Sequence, residues 1–88
     1  MAQIFKVNGQ IENVTPNQGE ELSLEQLQGA VEGYIELVPI INPQYTNKIM
    51  FCNEDGIRLG KELNLNASNI AGQRILGDVI LCDKGEVS

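Results

Sequence analysis

The stretch Ser23-Leu-Glu-Gln-Leu-Gln-Gly-Ala-Val-Glu-Gly33, running straight into Tyr34-Ile-Glu-Leu-Val-Pro-Ile-Ile-Asn42, decides the fold class. Its first half reads as a capped helix. Ser23 can accept a hydrogen bond from the first turn, and Gln26, three residues on, can bond back, which is the reciprocal pattern of a capping box. Leu24, Leu27 and Val31 fall at helical spacing on one face, and Gly33 is placed to supply a left-handed stop. Tyr34 to Ile40 is β-branched and apolar, as a buried strand requires. A helix feeding directly into a strand makes the chain α+β. The unit carries no chemistry of its own.

Working outward from it, Gln3 to Val14 reads as a hairpin. Ile4 to Val7 is apolar-rich, Gln10 to Val14 alternates, and Asn8-Gly9 between them suits a type I′ turn with positive φ at both residues. Thr15 to Glu21 is a polar connection broken by Pro16 and Gly19. Beyond the central unit, Asn42 to Asn47 is a loop and Lys48 to Asn53 a strand. Asn53-Glu-Asp-Gly56 then forms a turn, with Gly56 at the position of positive φ and Ile57 to Leu59 returning as a hairpin arm. Gly60 to Asn69 fits either a short helical turn with Leu63 packed inward or an irregular loop. Gln73 to Cys82 is an apolar strand interrupted at Gly77, as at a bulge or a close backbone approach. Asp83 onward is polar and expected to fray. The expected architecture is a small, mostly antiparallel sheet of four to five strands with an N-terminal hairpin and one principal helix. A single domain spans residues 1–88.

Composition narrows the function classes. The net charge is −6, and it is unevenly spread: residues 1–47 hold six acids against Lys6 alone, whereas residues 48–88 hold six acids and five bases. Long-range attraction to nucleic acid or an anionic membrane needs a basic field, so neither is expected as a partner. The chain has no Trp and no His, and only four aromatic residues, so its core must be aliphatic. Such a core is thin at this length, and a homodimer interface would supplement it. Nothing reads as a signal peptide, and no apolar run approaches the eighteen or so residues of a membrane span. The expected location is the cytoplasm, with Cys52 and Cys82 reduced and buried in adjacent strands.

Gly33-Tyr-Ile-Glu-Leu-Val38, Phe51-Cys-Asn-Glu-Asp-Gly56, Asn64 and Ile70-Ala-Gly72 occur in an order that resembles the family catalogued as domain of unknown function 3846. The resemblance spans almost the whole chain. It departs at the helix–strand junction, with Glu32-Gly33 in place of two glycines, and in the long link from Pro39 to Lys48. It implies short proteins of phages, plasmids and bacterial mobile elements. It brings no catalytic residues, so none is carried over.

The residues themselves offer little chemistry. Without histidine the commonest general base and metal ligand are missing, and two thiols fall short of the four ligands of a structural metal site. The serines have no base at a recognisable spacing, and neither a dinucleotide fingerprint nor a phosphate loop is present. No enzyme, cofactor or metal is expected. One cluster suggests binding: Asn53, Arg58, Lys61, Asn64 and Arg74, with Asn66 and Asn69, bring three cations and four amides into one stretch of an acidic chain. Arginine offers a bidentate fork for phosphate or carboxylate, and asparagine can read a base edge or a ribose. Tyr34 or Tyr45 could stack on a base. The same residues also suit solvated surface and local turns. Two functions are therefore expected of a non-enzymatic accessory protein. The first is sequestration of a small anionic, nucleotide-like ligand. The alternative is binding of a host protein through a sheet edge or the acidic first half.

Overall fold

The computed structural model describes residues 2–17 and 19–87. Five strands form one antiparallel sheet: β1 (Ala2–Phe5), β2 (Ile11–Val14), β3 (Ile35–Val38), β4 (Lys48–Asn53) and β5 (Val79–Asp83), in the order β2-β1-β5-β4-β3. The last strand to leave the chain is thus the middle of the sheet. Its residues suit that position. Val79, Ile80, Leu81 and Cys82 are all buried, the continuous apolar run of a strand covered on both faces.

Alternation along β5 sorts the core into two layers. Val79 and Leu81 join Phe5, Val38, Met50 and Ile75 beneath helix α2 (Leu65–Ala71), which contributes Ala67, Ile70 and Ala71. Ile80 and Cys82 join Ala2 and Leu22 beneath helix α1 (Leu24–Val31), which contributes Leu27, Ala30 and Val31. The α+β fold with its N-terminal hairpin is as the sequence indicates. A second helix, on the face opposite the first, resolves the two readings of Gly60 to Asn69. Asn64 caps it, its Oδ1 accepting from the Ala67 amide at 3.0 Å. Leu63 is not packed inward but lies partly exposed, bridged to Leu76.

The capping box of α1 is present as expected, Ser23 Oγ accepting from the Gln26 amide and Gln26 Oε1 from the Ser23 amide, both at 3.1 Å. Gln26 also fastens the preceding link by donating to the Thr15 carbonyl at 2.9 Å. Leu24, in contrast, is exposed. The left-handed residue that ends α1 is Glu32, with φ +62°, and not Gly33. Gly33 is required for a different reason: a Cβ there would lie 2.6 Å from Asn53 Nδ2.

Three further local expectations change. In the first hairpin only Gly9 has positive φ, the Gly9 amide donates to the Lys6 carbonyl, and the Lys6 amide donates to that of Gln10. That is a longer loop closing on a glycine bulge rather than a type I′ turn. After β4, residues 54–60 wind through consecutive turns, so Ile57 to Leu59 is not a hairpin arm. The positive φ falls at Gly60 instead of Gly56. At the C-terminal end, Lys84–Glu86 forms a 3₁₀ turn whose Glu86 carbonyl accepts from the Leu22 amide at 2.7 Å, so this segment is pinned beside α1.

Candidate functional site

Two of the polar residues singled out in the sequence are buried and fully occupied. Asn64, 1% exposed, donates from Nδ2 to the carbonyls of Phe5 (2.8 Å) and Gly77 (2.9 Å) while capping α2. It joins the end of β1, the approach to β5 and the start of a helix through one side chain. Asn53, 4% exposed, stands at the end of β4 and donates to the Val31 and Glu32 carbonyls at the end of α1, at 3.0 and 3.2 Å. Its Oδ1 accepts from the Asp55 amide at 2.8 Å, as an Asx turn does. A buried amide engaged this way has little capacity left for a ligand. Asn66 and Asn69 lie exposed on α2.

The three cations are placed separately. Arg58 forms an ion pair with Asp55 at 3.0 Å on the exposed turn, which lowers the Asp55 pKa through that hydrogen bond. Lys61 reaches Glu32 at 3.0 Å, with its stem over Gly77. Arg74 is exposed, and among the described residues it forms no ion pair. It also lines a concavity near the end of α2. Of the five candidates, Asn53 and Arg74 meet there, and Arg58, Lys61 and Asn64 do not line it.

That concavity, about 340 Å³, opens on the α2 face where the helix stops. Val38, Cys52 and Ile75 give it an apolar floor, Glu54 and Ile57 come from the turn after β4, and Arg74 from the segment before β5. Strand β3 forms its outer wall, with the Glu36 side chain on the cleft side and Leu37 at its rim. Gln73 Nε2 donates to the Pro39 carbonyl at 2.5 Å, closing one end. The link from Pro39 to Lys48 thereby contributes to the wall. It also caps α2, since the Ala71 carbonyl accepts from the Ile41 amide at 2.7 Å and the Asn69 carbonyl from Asn42 Nδ2 at 3.1 Å.

Cys52 is half-buried, with Sγ 3.9 Å from Glu36 Oε1, and its pKa is raised by burial and then by the Glu36 charge. Cys82 is fully buried and pushed up to about 11, mainly by desolvation. Both are free thiols in adjacent strands, as expected. A second cavity of about 340 Å³ lies between β1, β2 and α1. Its charges are already engaged: Lys6 pairs with Glu12 at 3.2 Å, and Asp78 accepts from the Val7 amide at 2.9 Å. Among the described residues no cluster of acids and thiols could hold a metal ion, and no helix is long and apolar enough to cross a membrane.

Strand β3 is an edge strand and pairs only with β4 among the described residues. The Tyr34 carbonyl accepts from the Glu54 amide at 3.0 Å, which sets the phase of the ladder. Alternation then turns the backbone groups of Glu36 and Val38 toward β4 and those of Ile35 and Leu37 toward the open edge. Leu37 is 61% exposed beside them, and Ile57 across the cleft is 86% exposed. Glu36 is legible in the sequence only as one acid of the acidic first half, and Leu37 not at all, because both read as part of an ordinary strand.

The family model described as Domain of unknown function (DUF3846) matches residues 6–88. The chain belongs to this family. DUF3846 is an uncharacterised family linked to mobile-element-associated proteins, so membership supplies a context and no activity. No curated protein and no solved structure matches the chain.

Proposed function

We propose that this DUF3846 protein is a non-enzymatic accessory binding protein of a phage or other mobile element, and that it holds a partner protein by adding an extended segment of that partner to the free edge of β3. The observation that supports this most directly is the open edge at Ile35 and Leu37 beside an apolar-floored cleft. Main-chain hydrogen bonds along such an edge supply affinity, and an adjoining pocket supplies selectivity. The acidic balance of the chain and the lack of histidine favour binding over catalysis.

A second reading, sequestration of a small anionic ligand, is favoured by one observation: Arg74 stands at the cleft without an ion pair among the described residues. Against it, Glu36 and Glu54 line the same cleft, and Arg58 and Lys61 are committed to carboxylates.

Native mass spectrometry of the protein purified from its bacterial host separates the two. Leu37→Pro removes an edge N–H that points away from β4, so the ladder is retained. A protein partner lost in Leu37→Pro and kept in Arg74→Ala is the expected result. A small anion retained in Leu37→Pro and lost in Arg74→Ala would transfer the conclusion to sequestration.

A further inference from the structure

Strand β3 alternates, and the alternation gives its edge a chemical pattern. Glu36 and Val38 lie on the cleft side, where Glu36 meets Cys52 and Val38 joins the core beneath α2. Ile35 packs on the α1 side, and Leu37 shares that side by alternation. The pair Tyr34–Glu54 precedes Glu36–Cys52 on the same ladder, so Glu54 is the diagonal neighbour of Glu36 on the cleft side. Diagonal neighbours of this kind lie roughly 7–8 Å apart, within reach of one long side chain. Neither carboxylate has an ion pair among the described residues. The cation at the cleft, Arg74, comes from the opposite wall, so the carboxylates outnumber it.

A second copy of the chain is poorly suited to this edge. The antiparallel register that uses the outward groups of both Ile35 and Leu37 pairs each with the other across a two-fold axis. It also sets Glu36 directly against Glu36 of the copy, in the closely spaced, non-hydrogen-bonded position. Like charges there oppose pairing. Centring on Leu37 instead sets Ile35 opposite Pro39, which has no N–H to donate. The edge thus selects against itself.

We infer that the segment accepted by β3 carries a lysine or arginine opposite Glu36, flanked by apolar residues opposite Ile35 and Leu37. The basic side chain lies between Glu36 and Glu54, and its stem covers the apolar floor at Val38 and Cys52. Carboxylates without an ion pair at a free edge, on an acidic protein, attract a basic strand and repel an acidic one. This inference rests on the proposed edge binding and specifies its partner.

The test is an ¹⁵N NMR titration of the full chain with three peptides, Thr-Val-Lys-Val-Thr and its counterparts with Gln or Glu at the centre. The sequence is palindromic, so it can pair in either strand direction. The Lys peptide is expected to shift the Ile35 and Leu37 amides most and to bind about tenfold more tightly than the Glu peptide, the order that exchanged cross-strand charges command. Raising the salt concentration should narrow that gap, and Glu36→Lys, an exposed substitution, should reverse the preference. Equal binding of the Lys and Glu peptides at β3 would overturn the charge assignment while leaving edge binding intact. No shift at Ile35 or Leu37 with any peptide would overturn both. Concentration-dependent shifts of those amides without peptide would give the edge to a second copy and overturn the inference.

Discussion

The two faces of the sheet carry the same kind of cover fastened in opposite ways. On one face α1 is tied down at its C-terminal end, where Asn53 holds the Val31 and Glu32 carbonyls. On the other, α2 is tied down at its N-terminal end, where Asn64 caps it and grips Phe5 and Gly77. The α1 face is packed by Leu22, Leu27 and Val31, with the C-terminal 3₁₀ turn closing beside them, and the charges Lys6 and Asp78 at its own cavity are already engaged. The α2 face is covered by a helix one residue shorter, whose inward side chains include two alanines. Its cover ends before the β3 edge, and the cleft is what remains. Binding surface arises where packing stops.

Removing either fastening tests that comparison most severely. Asn64→Ala leaves two buried carbonyls without a donor and α2 without its cap, and is expected to cost about 3 kcal/mol. Chemical denaturation measures the loss, and hydrogen exchange should show α2 opening ahead of α1. Asn53→Ala frees the end of α1 and is expected to cost about 2 kcal/mol, with the reverse order of opening. Gly33→Ala should mimic it, because the added Cβ displaces the same Asn53 amide. If both asparagine variants opened both helices together, the two faces would be one cooperative layer rather than separately fastened ones.

A smaller and opposite effect is expected at the end of α1. Glu32 holds a left-handed backbone that favours glycine, and the resemblance noted above has two glycines at this junction. Glu32→Gly should stabilise the chain by about 0.5–1 kcal/mol, since relief of strain exceeds both the added chain entropy and the loss of an exposed ion pair to Lys61. Thermal melting provides the readout. A loss of stability would mean that the Lys61 contact outweighs the strain.

The smallest effect concerns the far end of the α2 face, where Lys48 and Asp83 pair across β4 and β5. The Lys48 ammonium holds Asp83 down to about 2. Its folded pKa is below the ordinary value near 4, so its contribution is present above about pH 4 and fades as pH falls through about 2. The Tm gap between the native chain and Asp83→Asn should therefore close over that interval. A gap independent of pH would assign the aspartate a neutral, hydrogen-bonding role.

Much of the fold was legible because it rests on local rules. The Ser23–Gln26 box and the boundaries of β4 follow from side-chain chemistry and period alone, whereas the strand expected from Gln73 to Cys82 begins only at Val79 and runs on to Asp83, with Gly77 left-handed before it. The second helix was harder to read because α2 has seven residues and an asparagine cap, signals that an Asn-rich loop shares. The cation–amide cluster was visible as composition but not as geometry. Nearness in sequence could not show that Asn53 and Asn64 turn inward to backbone carbonyls, or that Arg58 and Lys61 spend their charge on Asp55 and Glu32.

By itself the sequence determined the fold class, the hairpin, the first helix and its cap, and membership in a family without an assigned activity. Tertiary structure decided which strand lies at the centre, which at the edge, and where the cover on the sheet ends. Those are outcomes of pairing between segments far apart in the chain, and β5 reaches its place only by joining β1 to β4. Local periodicity fixes which residues share a face, but only the closed arrangement of strands determines which backbone groups remain unpaired.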